Sequence, residues 1–336
     1  MALRGEVTDR AAGRAEWLSK LLMIVASLAL AVVFAEVALR VSGRYQPPSY
    51  PPICLRPGLV EAYQPYGYRL IPSRRTTYLY PHDHPRTLSL VSNREGFRSS
   101  RELEEPDARP RLLVLGDSFV FGDGVEESER FTNVLEAMEP SWRVDNLGMV
   151  GWGPDLMLRA LEAVGLNVKP RAVVFCMYTD DFRRVRPEYA GTGFLIPRYE
   201  LESGRLATRP YPKPNFLGRL SISVAAGKIL WNYSNWEWDL NRAILDKFEE
   251  LANQQPFQKV IIFLPGVADT KADQKRRYWL RQYADTHATP FLDLSDPLHK
   301  LGQQVFISGD PHLNPMGHEV VARELDHFLR GVPVFR

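Results

Sequence analysis

Three side chains in this sequence have the types and the order that nucleophilic catalysis needs: Ser118, Asp310 and His312. Ser118 ends the stretch RLLVLGDS, an apolar run closing on Gly116-Asp117-Ser118, which predicts a strand feeding a turn. Gly116 permits a tight turn, and a helix starting soon afterwards brings backbone N–H groups to where an oxyanion would form. A serine hydroxyl is a poor nucleophile without a neighbouring base. The stretch SGDPHLNPMGH supplies one near the end of the chain. Asp310 and His312 are two residues apart, so in an extended segment both project from one side. The carboxylate then holds Nδ1–H and leaves Nε2 for the serine. Each block also has a plain structural reading. Gly, Asp and Ser are ordinary turn formers, and Asn314-Pro315 starts a helix after a polar loop. Asp117 is expected to brace its turn, and His318 to sit on a helix surface or behind the site.

The elements that must position these residues alternate. Strands are expected at RLLVLG, WRVDNLG, RAVVFCMY, KVIIFLP and TPFLDL. Helices are expected at 128–138 with Ser128 as N-cap, from Pro154, over ADQKRRYWLRQYADTH, and from about Pro315 to Leu329. That rhythm predicts an α/β domain with a parallel sheet covered on both faces. Residues 187–240, rich in Pro, Gly and aromatics (Trp231, Tyr233, Trp236, Trp238), break it and read as an inserted cap over the sheet's carboxyl edge. A surface lobe or a membrane-facing patch are the alternatives. The aromatic residues are weighted towards packing rather than substrate contact. Arg183, Arg184 and Arg186 could meet an anionic sugar or lipid headgroup, although a solvated basic loop is the commoner outcome.

The 336 residues carry a formal net charge of +2, which gives no argument for nucleic acid. Cys54 and Cys176 are too few for a disulfide scaffold, and Cys176 lies in an apolar run as a core thiol. No P-loop or Gly-x-Gly-x-x-Gly occurs, and His318-Glu319 lacks a second histidine four residues on, so no cofactor or metal is expected. His82 and His84 around Asp83 read as a loop before a metal site. Residues 17–41 are apolar apart from Ser19, Lys20, Glu36 and Arg40, and are long enough to cross a bilayer. Arg4, Arg10, Arg14 and Lys20 precede the uncharged part of this span, so residues 1–16 are expected in the cytoplasm and those after residue 41 in the periplasm. An uncleaved anchor is favoured over a signal peptide or a core helix. Residues 42–70 read as an extended linker, 71–110 as a small β-rich extension, and 111–336 as the main domain.

The order GDS, a Gly-containing turn after the second strand, an Asp-bearing turn after the third and D-x-H near the end resembles the SGNH/GDSL hydrolase superfamily over residues 111–186 and 246–330. The resemblance implies a flavodoxin-like three-layer α/β/α sandwich with its site at the carboxyl ends of the strands. It implies Ser118 as nucleophile and oxyanion donor, Gly151 in NLGMVGWG as second donor, and Asp310 and His312 as acid and base. Where the family has Gly-x-Asn-Asp, this chain has Tyr178-Thr179-Asp180-Asp181, so Thr179 or Asp180 stands in place of the donor Asn. The shorter D-x-H spacing resembles the membrane-associated O-acetyltransferase-like branch, and the N-terminal span and Asn93-Arg94-Glu95-Gly96-Phe97-Arg98 resemble anchored members of the superfamily. The implied activity is hydrolysis of acyl esters, O-acetyl groups of envelope or exported carbohydrate or lipid. Transfer of the acyl group to a sugar is the first alternative. A non-catalytic binding or scaffold protein working with envelope biosynthesis partners is the second.

Overall fold

Alternate residues of the central strands are apolar on both sides, and that decides the architecture. The computed structural model describes residues 2–43, 58–81, 85–185, 198–209, 220–232 and 236–335. The chain divides into two units, residues 48–212 with 234–336, and residues 1–47 with 213–233.

The larger unit holds a five-stranded parallel sheet made of β5 (Arg111–Gly116), β6 (Arg143–Gly148), β7 (Ala172–Tyr178), β10 (Gln258–Leu264) and β11 (Phe291–Asp293). Its order is β6-β5-β7-β10-β11, the 2-1-3-4-5 order of flavodoxin-like folds. Leu113, Leu115, Val173, Phe175, Met177, Ile261 and Phe263 face one way. They meet α4 (Pro154–Ala163), α7 (Trp236–Gln254) and α8 (Lys271–Thr286). Leu112, Val114, Val174, Cys176, Val260 and Ile262 face the other way, against α3 (Phe131–Met138) and α10 (Pro315–Arg330). Both faces are covered, which is why these strands read as continuous apolar runs. Cys176 is a buried free thiol, as its run suggested, and burial pushes its pKa up; Cys54 lies outside the described residues, as do His82, Asp83 and His84.

Three expectations need correction. Residues 60–70 are not linker: they form the hairpin β1 (Val60–Tyr63) and β2 (Gly67–Leu70), because Tyr66, Tyr68 and Leu70 are buried in the core. The extension continues as the hairpin β3 (Arg75–Tyr80) and β4 (Arg86–Val91). The helix expected from Ser128 starts at Phe131. Glu126 and Glu129 form a capping box that spends the preceding residues on a short 3₁₀ turn. Within 187–240, Trp236–Leu240 belong to the core helix α7, whose Leu240, Ile244, Leu245 and Phe248 are buried. Trp238 packs on Phe182 and Trp279 at 5.7 and 5.5 Å between ring centroids. The side chains of Trp231, Tyr233 and Trp236 are outside the described residues. The hairpin β8 (Arg198–Glu202) and β9 (Arg205–Arg209) packs beside α7, with the Tyr199 hydroxyl on Glu162 of α4 at 2.7 Å.

The smaller unit contains α1 (Ala2–Ser42), whose segment Glu16–Ser42 is exposed, apolar and long enough to cross a membrane. It also contains α6 (Ser221–Asn232). Glu36, the one acid within the apolar stretch, accepts the first N–H groups of α6 from Ser221 and Ile222 at 3.0 and 2.9 Å, and pairs with Arg40 at 2.6 Å.

Candidate active site

β5 stops at Gly116 and a single helical turn, α2 (Ser118–Phe121), begins on the serine itself. The turn sits so close to the sheet that side chains are excluded at two points. A Cβ on Gly116 would lie 2.1 Å from Val120 Cγ2, and one on Gly148 would lie 2.4 Å from the Phe121 amide. Gly116 is therefore required for close approach, and its φ is not positive. Asn146 ties the same junction from β6, donating to the Val120 carbonyl at 2.5 Å and to Thr132 at 2.9 Å. Asp117 caps the turn by accepting the Phe119 amide at 2.9 Å.

The last loop brings its two residues to the same point by a route other than an extended segment. Residues 307–312 form a closed turn: the Ile307 amide donates to the His312 carbonyl at 2.9 Å, and the Asp310 amide to Ile307 at 3.0 Å, with Gly309 at φ +72°. Asp310 Oδ1 takes the His312 backbone amide at 2.8 Å and lies 2.5 Å from Nδ1. Nε2 is 2.7 Å from Ser118 Oγ. The serine hydroxyl also lies 3.3 Å from Asp117 Oδ2, a weaker alternative for its proton. The assembled chain is serine, imidazole, carboxylate.

Burial opposes charge on His312. The Asp310 hydrogen bond and the negative fields of Asp123, Asp310 and Asp117 outweigh it, so the imidazole pKa stands above its ordinary value. Burial acts to raise the Asp310 pKa, but its hydrogen bonds to His312 overcome this and bring it down to about 2. The pair is built to carry a proton on the ring and a charge on the carboxylate. Phe119 covers the imidazole at 5.0 Å and stacks on Tyr178 at 4.2 Å.

Among the described residues, no hydrogen bond takes up the amides of Ser118 or Gly151. Gly151 has φ +80°, a conformation its neighbours could not adopt cheaply. Its loop is fixed from the extension, where the Tyr68 hydroxyl donates to the Val150 carbonyl at 2.5 Å. Trp152 is buried there against Tyr66, Tyr68 and Phe97.

The Tyr178-Thr179-Asp180-Asp181 stretch sends its polar groups elsewhere. The Thr179 hydroxyl donates its single proton to Asp273, and the Asp180 carboxylate accepts from Arg183 at 2.6 Å and Arg276 at 3.4 Å. Neither is left to donate to an oxyanion. Asp181 is fully buried and accepts the Tyr178 amide at 2.9 Å. Arg184 is not part of a solvated loop. Its Nη1 joins Asp117 at 2.6 Å, Asp181 at 2.5 Å and the Trp152 carbonyl at 3.0 Å, placing a guanidinium one hydrogen bond from the carboxylate that touches Ser118. Gly153 leaves it room, since a Cβ there would meet Arg184 Cβ at 2.8 Å. His318 is buried, not on the surface: Nδ1 accepts the Phe131 amide at 3.2 Å and the ring stacks on Phe131.

Sequence reasoning missed Tyr80. From the end of β3 its hydroxyl lies 3.1 Å from His312 Nδ1, and it helps hold the Asp310 carboxyl ionised. It has no motif, and 232 positions separate it from His312. Among the described residues no cluster of three or more His, Cys, Asp or Glu side chains suits a metal ion.

No protein-family profile matches the chain, and no curated protein does. Several solved structures are similar to it. An acetyl xylan esterase, AlAXEase, is 13% identical, with 66% of this chain and 99% of that one covered and a TM-score of 0.43. The esterase EstA from a Pseudoalteromonas species is 12% identical, with 66% and 97% covered and a TM-score of 0.42. A member of the lipolytic G-D-S-L family from Veillonella parvula is 16% identical, with 66% and 98% covered and a TM-score of 0.41.

Proposed function

We propose that this chain is a membrane-anchored serine ester hydrolase of the SGNH/GDSL type, with Ser118 as nucleophile, His312 as base and Asp310 as its partner. The observation that carries the reading is the unbroken hydrogen-bonded line from Ser118 Oγ through His312 to Asp310, with 2.7 and 2.5 Å links. In the first half-reaction Oγ attacks the ester carbonyl carbon while Nε2 takes its proton. The developing oxyanion is met by the Ser118 and Gly151 amides. With no Asn after the third strand of the sheet, these two backbone donors carry that task. The imidazolium, held by Asp310, returns its proton to the departing alcohol as the C–O bond breaks. Water, deprotonated by Nε2, then attacks the acyl-serine carbonyl, and the imidazolium returns that proton to Ser118 Oγ as the ester bond breaks and the acid leaves.

The proposed substrates are acyl esters, O-acetyl groups of exported carbohydrate or lipid first, reached from an anchor whose N-terminal arginines stay in the cytoplasm. The full chain in detergent is tested with a fluorophosphonate probe and with p-nitrophenyl acetate. Labelling and turnover are expected in the wild type, with a loss of about 10⁴-fold or more in Ser118→Ala. Because the imidazole pKa is raised, kcat/KM is expected to fall as pH drops through a value above the ordinary 6.5. A wild-type protein that neither labels nor turns over is a binding protein with this fold, and the reading fails.

A further inference from the structure

The acid–base pair has a third member that comes from outside the α/β sandwich. We infer that Tyr80 is a positioning residue: the β3–β4 hairpin delivers its hydroxyl to the Asp310–His312 pair, on the ring edge away from Ser118, to fix the imidazole for proton transfer. This rests on the esterase reading for its kinetic consequence but not for its physical one.

The geometry allows one assignment of protons. Nδ1 donates to Asp310 Oδ1 at 2.5 Å, so Tyr80, 3.1 Å from the same nitrogen, is only a secondary acceptor there. The hydroxyl also acts on Asp310, where it is one of the influences that keep the carboxyl ionised. The ring stands edge-on to His312, with an interplanar angle of 81°. A hydroxyl seated on Nδ1 restricts rotation of the imidazole, and an error of about 1 Å in such a group costs on the order of 10²-fold in rate.

Tyr80 is itself held firmly. Its side chain is 2% exposed, and Gly124, at φ +87°, comes so close that a Cβ there would lie 3.1 Å from the phenol ring. The hairpin is fastened to the loop that follows the nucleophile. Tyr78 reaches Asp123 at 3.2 Å, Arg86 pairs with Glu129 at 3.0 Å, and the Ser89 amide donates to Glu126 at 3.1 Å. The buried Arg98 ties the Gly122, Val125 and Ser89 carbonyls at 2.6, 2.8 and 3.0 Å. A floppy surface hairpin would need none of this.

The charged and titratable groups around His312 come from every neighbouring element: Asp310 from its own loop, Tyr80 from β3, Asp117 and Ser118 from the nucleophile turn, Asp123 from the next loop and His318 from α10. Among them, Tyr80 helps keep ionised the carboxylate that stabilises the imidazolium. Removing that hydroxyl leaves Asp310 more basic and a stronger acceptor for the ring, so the protonated ring gains stability and the acidic limb moves to higher pH.

The test is Tyr80→Phe, which keeps the ring and deletes one oxygen, with Tyr283→Phe as a buried control whose hydroxyl donates to Asp246. Tyr80→Phe is expected to lower kcat about tenfold with KM changed less than about twofold, and to shift the acidic limb upward. The control is expected to change neither. The His312 ring is titrated by NMR in both variants and in the wild type, assigned with His312→Gln. An upward shift in Tyr80→Phe alone is the expected result, and it needs no turnover. A ring that titrates as in the wild type, or lower, overturns the inference, whether or not the protein proves to be an esterase. Unchanged kcat in an active protein overturns it equally.

Discussion

His318 makes the fold sensitive to acid in a way that can be worked out in advance. Its imidazole is 1% exposed, and burial first, then the charges of Arg130, His312 and Arg98, bring its pKa down to about 3 against an ordinary 6.5. The unfolded chain therefore binds a proton below pH 6.5 that the folded chain refuses until about pH 3. Across that window the unfolded state holds more protons, so stability falls as pH falls, at about 1.4 kcal/mol per pH unit for this one group. Above the window the contribution is flat and fully present. At about pH 4.5 the loss reaches about 2.7 kcal/mol, a large part of the roughly 5–15 kcal/mol that holds a domain together. His318→Gln offers the Phe131 amide an oxygen and cannot titrate. Guanidinium unfolding of the full chain in detergent, followed by tryptophan fluorescence at neutral pH and at about pH 4.5, reads the difference for each protein. Whatever the variant costs at neutral pH, its acid-induced loss should be smaller than the wild type's by about 2.7 kcal/mol. Equal losses in the two proteins would refute the account.

Arg184→Met removes the cation shared by Asp117 and Asp181, which are 1% and 0% exposed, and should cost about 3–5 kcal/mol in unfolding free energy at neutral pH. The deficit should narrow on acidification, because burial already pushes the Asp181 carboxyl towards protonation; a deficit constant with pH argues against buried charge as its cause. Thr179→Val deletes the hydroxyl given to Asp273 and should lower stability by about 1–3 kcal/mol while kcat stays within about twofold. A fall of about 10² in kcat at unchanged stability would instead make Thr179 an oxyanion donor.

The sandwich was legible because its strands are buried on both faces. RLLVLG and RAVVFCMY leave no amphipathic ambiguity, and Pro154 and Asn314-Pro315 mark helix starts. Asp310 and His312 were legible as neighbours, although a closed turn and not an extended segment brings them together. The start of α7 was hidden by its tryptophans, which looked like a cap because periodicity over so few aromatic residues does not separate packing from display. Arg184 was visible as a charge but not as a buried one, since its burial depends on a carboxylate 67 residues away. Tyr80 left no trace at all. A single tyrosine at a strand end acquires its role only from the loop that the rest of the fold lays beside it.

The way Arg98 grips three carbonyls sets a limit on how the molecule can be dissected. A fragment starting at Arg111, where the sandwich begins, would strand the Gly122 and Val125 carbonyls without their donor and uncover Trp152 where Phe97, Tyr66 and Tyr68 now shield it. The smallest autonomous folding unit is then not the sandwich but the sandwich with its two N-terminal hairpins, and shortened versions should begin ahead of residue 58, not at 111.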